Sequence, residues 1–168
     1  MKSYFPVSAA LFLASTIYTP AADWPNWMGP DRNGLSREII PDNVTINAPE
    51  WKAEVGIGFS SISFANGSVY TMGHRDGKET VWKLSAESGE VEGQYTYTAE
   101  LMPNLHEGGP GSTPTVADGR VYTISKDGLF HVFDEDLSEV IFKKDVMEVS
   151  ELNKVPEWGF SASPVIMG

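Results

Sequence analysis

The sequence predicts an all-β fold assembled from repeated four-stranded antiparallel meanders. Three observations predict it: a segment that recurs at an interval near 50 residues, Asn-Gly and Asp-Gly pairs set between short apolar runs, and an aromatic-rich, turn-rich composition. Among 168 residues there are five Trp, six Tyr and eight Phe, with 16 Gly and 11 Pro, a mixture that suits strands joined by tight turns. Hydrophobic residues make up 41%, ordinary for one globular domain. The formal net charge of −11 repels a phosphate backbone and argues against nucleic acid as a partner. There is no cysteine, so disulfides, thiolate metal sites and a cysteine nucleophile are excluded.

The repeat fixes the organisation. Residues 60–71 read SSISFANGSVYT and residues 112–123 read STPTVADGRVYT, and Gly67/Gly119 and Tyr70/Tyr122 share one offset of 52. Asp76-Gly77 then matches Asp127-Gly128, and Glu90-Val91 matches Glu139-Val140, at slightly shorter offsets. A third copy opens at GFSASPVIMG, residues 159–168. A period of this size means stacked supersecondary units.

Each unit reads as four strands in order. In the second copy Thr113–Ala117 is the first, and Asp118-Gly119 turns the chain into Arg120–Ser125. Asp127-Gly128 turns it into Leu129–Asp134, and a turn at Asp136–Ser138 leads to Val140–Lys143. Asn66-Gly67 and Asp76-Gly77 have the same role in the first copy; such pairs favour two-residue hairpins because both central residues need positive φ. Sheets of this kind repeated radially make a β-propeller, here two blades (58–108 and 109–158) plus the start of a third (159–168). A closed ring needs about four to eight blades. The expectation is therefore an N-terminal fragment whose remaining blades lie outside this chain, with open edges that invite association.

The N-terminal 57 residues divide in two. Lys2, an apolar run from Phe5 to Tyr18 and the small residues of TPAAD predict a signal peptide over 1–22. The run is shorter than the ~20 residues of a bilayer span, so the mature chain is expected to be exported, periplasmic or extracellular, with no membrane span. Residues 23–57 read as a Pro-rich arm ending in EWKAEV. Trp51 in that segment reads as a core Trp of the first blade.

With these residues in view, GSTPTVADGRVYTISKDG, NWMGPDRNG (26–34) and WGFSASPV (158–165) resemble the PQQ-like (pyrroloquinoline quinone-like) β-propeller repeat family, secreted bacterial proteins. The resemblance covers essentially all of the mature chain. For Trp51 it implies a ring-closing strand instead of a place in the first blade's core. It implies a docking motif at each blade end, Leu-Asp-Ala-x-Thr-Gly-x-x-x-Trp, whose Trp packs between blades. Leu84-Ser85-Ala86-Glu87-Ser88-Gly89 keeps half of it, with Gly93 near the Trp position. In the second copy Phe133-Asp134 keeps the start, Ser138 replaces the Gly and Phe142 the Trp. The family's dehydrogenases use the quinone with Ca²⁺, an Asp base and a Trp beneath the ring; no such constellation matches here residue by residue.

The polar residues narrow the function. His74, His106 and His131 lack metal-ligand spacing, and Asp134-Glu135-Asp136 reads as a solvated turn, so neither metal nor catalytic residues are assigned. Asn43-Val-Thr and Asn66-Gly-Ser match a glycosylation pattern that is idle in a bacterial-type protein. The segments NLHEGGPGS (104–112) and VPEWGFS (155–161) lead into innermost strands, which in a propeller surround the mouth of the central channel. There His106, Glu107 and Trp158 are the candidate ligand site, for a protein or a small sugar-like molecule. The expected function is a non-enzymatic binding or assembly scaffold with no cofactor. The alternative is part of a quinoprotein alcohol or sugar dehydrogenase, using PQQ with calcium.

Overall fold

The computed structural model describes residues 21–40, 42–45, 48–103 and 106–167. The expected signal segment therefore falls almost wholly outside the described residues. Eight strands form two four-stranded antiparallel sheets in sequential order, β1–β4 and β5–β8. The first blade holds β1 (Ser63–Ala65), β2 (Ser68–Arg75), β3 (Lys78–Ser85) and β4 (Val91–Thr98). The second holds β5 (Thr115–Ala117), β6 (Arg120–Ile124), β7 (Leu129–Asp134) and β8 (Val140–Asp145). One helical turn, α1 (Val146–Val149), follows, its start capped by the Asp145 carboxylate accepting from the Met147 N–H at 2.8 Å. No described helix is long and apolar enough to cross a membrane.

The turns follow the sequence at three positions. Asn66, Asp76 and Asp118 have φ of 52°, 52° and 51°, each followed by a glycine with positive φ, the geometry of a two-residue hairpin. Asp127-Gly128 differs: only Gly128 is left-handed (φ 107°). Ser125 bonds Leu129 and Gly128 bonds Ser125, so the loop has three residues, 126–128. The added residue is Lys126, which the loop carries inward to a buried position between the lead-in segments.

The two sheets stack head to tail. β2, β3 and β4 present Tyr70, Met72, Val81 and Tyr95 to Val116, Val121, Phe133 and Leu137 of the second blade, and these form the core. Val121 is the repeat equivalent of Val69, whose side of the first sheet faces away from this core, so the two blades meet through opposite faces of the repeat. Phe142, at the expected inter-blade Trp position, lies on the second blade's far side, 52% exposed against Phe130. Trp51 rests on Gly89 and donates its indole N–H to Ala86 O at 3.0 Å, covering the first blade's far side at the β3–β4 turn.

At Gly93 the sheets approach so closely that a Cβ would collide with the Asp136 carbonyl. The turn containing Asp136 is itself held by Lys83, whose ammonium pairs with its carboxylate at 2.6 Å. The acidic turn is thus an inter-blade contact as well as a polar loop. Gly93→Ala is expected to destabilise by about 1–3 kcal/mol through overpacking. An unchanged urea midpoint would show that the approach is not constrained.

The N-terminal arm crosses the inner strands. Trp24 pairs with Phe64 of β1 through two backbone bonds of 2.8 and 2.9 Å, and Pro25 O accepts from Val116 N of β5 at 2.8 Å. Arg32 then donates to Ile166 O at 2.6 Å, beside the third copy. That copy is seated on β5: the Ser163 hydroxyl accepts from Thr113 N at 2.9 Å and Pro164 O accepts from the Thr115 hydroxyl at 2.7 Å. The arm therefore ties the inner edges of successive repeats through an isolated antiparallel bridge, one further backbone bond and the Arg32 side chain.

Candidate functional site

The lead-in segments of the repeats pack backbone against backbone at one end of the sheets. Phe59 N donates to Pro110 O at 2.7 Å, and Gly109 lies so near Ile57 O that no side chain fits there. The glycines of GIGFS and EGGPGS thus permit close approach between blades as well as tight turning. Lys126 joins the segments. Its ammonium donates to Gly109 O at 3.2 Å, its carbonyl accepts from Phe160 N at 2.8 Å, and its stem packs on Gly159.

On this framework stands a ladder of rings. The His106 ring centroid is 4.4 Å from Phe59 and 6.0 Å from Trp158, nearly parallel to the indole at 26°. Phe59 is 53% and Trp158 46% exposed, so the ladder faces solvent. His106 Nδ1 accepts from Gly108 N at 3.0 Å, which places the proton of the neutral ring on Nε2. Glu107 is exposed beside it. The structure thus brings His106 and Trp158 together, leaves Glu107 exposed next to His106 in the chain, and adds Phe59. The missed signal was the recurrence of Gly-Phe-Ser at 58–60 and 159–161.

Beneath the ladder lies a buried polar cluster between the sheets. Glu79 on β3 is fully buried and accepts from the Tyr97 hydroxyl at 2.8 Å and from the Lys126 backbone N–H. Burial raises the Glu79 pKa, and burial together with the nearby Glu79 carboxylate raises that of Tyr97. Burial lowers the pKa of Lys126. His74 donates from Nε2 to Ala99 O at 2.9 Å, the role of a packed histidine. His131 stacks on Phe133 and lies tilted against Tyr97, and burial followed by the Lys143 charge lowers its pKa to about 4. Its Nδ1 and the Thr123 hydroxyl, on directly opposed residues, are buried without a partner among the described residues.

Quinone chemistry of the family type requires a cation held by several carboxylate and amide oxygens. Among the described residues no three His, Asp or Glu side chains converge to hold a metal ion.

Stacked four-stranded blades with a ring ladder at the inner-strand end define a propeller-type all-β protein. No family model and no curated protein matches the chain. Among solved structures, a europium-containing methanol dehydrogenase is similar at 12% identity with a TM-score of 0.44, over 56% of this chain. This chain spans 17% of that protein's length.

Proposed function

We propose that this chain belongs to an exported PQQ-like propeller protein that acts as a non-enzymatic binding or assembly scaffold. Its ligand would seat on Phe59, His106 and Trp158. The observation that carries the reading is the ladder itself: three rings held open to solvent by lead-in segments fixed backbone to backbone. Exposed rings of this kind offer a flat apolar surface beside polar groups, which suits the C–H face of a sugar or a partner's side chains. Export, to the periplasm or beyond, is supported by the Lys2 and Phe5–Tyr18 pattern.

The test is titration of the full chain with a neutral trisaccharide, followed by tryptophan fluorescence. Trp158→Ala and His106→Ala are each expected to weaken binding about tenfold or more. Failure of the trisaccharide to bind, or binding by both variants as tight as that of the wild type, would remove the sugar reading of the site. Dye-linked alcohol oxidation after adding the quinone and calcium would overturn the non-enzymatic reading in favour of a dehydrogenase.

A further inference from the structure

We infer that a second site, the groove bounded by Arg75, Lys78 and Trp82 on the far side of the first blade, binds an acidic saccharide through its carboxylate. Arg75 and Lys78 flank the Asp76-Gly77 turn and lie directly opposite each other in the β2–β3 register. Like charges at that spacing repel and destabilise a hairpin. Neither cation has an ion pair with a described residue, in a chain holding 23 acidic and 12 basic residues. Asp76, between them, also lines the groove and leaves it with one excess positive charge. The hairpin keeps a local charge opposite in sign to the protein as a whole.

The groove has a volume of about 300 Å³, lined by both cations, Thr80, Thr96 and Trp82. The Trp82 indole N–H is committed to Val55 O at 3.1 Å, which fixes the half-buried ring as a wall. The Thr80 and Thr96 hydroxyls bond each other at 2.9 Å, leaving one donor and spare lone pairs for a ligand. The guanidinium offers a carboxylate two parallel N–H donors, the hydroxyl pair meets sugar hydroxyls, and the indole meets a C–H face. A phosphate dianion fits less well, because the surrounding field of an acidic protein opposes the second charge. None of Phe59, His106 or Trp158 lines this groove, so the inference stands apart from the ring ladder.

The experiment is calorimetric titration of the full chain, as wild type and as Trp158→Ala, with a uronate trisaccharide, its neutral hexose counterpart and acetate. The Trp158→Ala background weakens binding at the ring ladder about tenfold or more. The uronate is expected to bind in both proteins, about tenfold tighter than the neutral sugar in the Trp158→Ala background, with acetate weaker still. Arg75→Gln and Lys78→Gln should each weaken uronate binding about tenfold, while Lys78→Gln holds or raises the melting temperature by removing the like-charge pair. Equal affinity for acidic and neutral sugars in that background would overturn the inference. So would acetate binding as tightly as the uronate, unchanged binding in both charge variants, or no heat from the uronate; the ligand comparison needs no charge variant to fold.

Discussion

Phe133→Ala is expected to lower stability by about 3–5 kcal/mol, the range for emptying a large aromatic site in a packed core. Phe133 is fully buried between the sheets, its ring 4.9 Å from Tyr95 and 5.4 Å from His131, and it shares the core with Tyr70, Val81 and Val121. The neighbours come from two rigid sheets, so the cavity cannot close by local collapse. Phe142→Ala on the far side of the same sheet is the internal control. That ring is half exposed and touches only Phe130 among the rings of the described residues, so its loss should cost less than about 1 kcal/mol. Similar urea midpoints for the two variants would show that the head-to-tail stack does not carry the core.

The second large effect is a loss of stability in mild acid. His131 has an ordinary pKa near 6.5 when unfolded and about 4 when folded, because burial and then Lys143 disfavour its cation. Between these values the unfolded chain binds the extra proton, so stability falls as pH drops from about 6.5 toward 4. Counted at 1.36 kcal/mol per unit and discounted for water reaching the ring, the loss is about 2–3 kcal/mol. Glu79 acts with the opposite sign: its raised pKa makes the folded state the better proton acceptor, so its contribution fades as pH rises above the usual carboxylate range. His131→Phe keeps a ring against Tyr95, Tyr97 and Phe133 and removes the titration. The difference between variant and wild type, measured by urea unfolding from pH 7 to 4, should therefore grow in favour of the variant. A flat difference would show that His131 protonates equally in both states.

The strands were legible because alternation along VYTIS and LFHVF has the two-residue period of a sheet, and Asn-Gly and Asp-Gly mark where it reverses. The predicted strand limits in the second repeat agree with β5–β8 to within two residues at each end. The Asp127-Gly128 turn departed from expectation because an interior position for Lys126 overrode the local preference for a two-residue hairpin. The family pattern placed an aromatic filler at Phe142. The head-to-tail order of faces puts that side chain away from the first blade, and Gly93 instead admits the Asp136 carbonyl. Of the candidate site, His106 and Trp158 were legible from their place in the lead-in segments. Phe59 was not, since its closeness to His106 depends on how the two blades are set side by side.

By itself the sequence determined the repeat, the number of strands in each blade and three of the two-residue turns between them. All three rest on local φ, ψ preferences and on side-chain alternation, which are encoded within a few residues of one another. Only the tertiary structure decided which face of each sheet meets its neighbour, that the N-terminal arm ties the inner strands together, and that Glu79, Tyr97, Lys126 and His131 share one buried cluster. These contacts join different repeats through burial and hydrogen bonding at long separation. Their energies depend on geometry that no short stretch of chain contains.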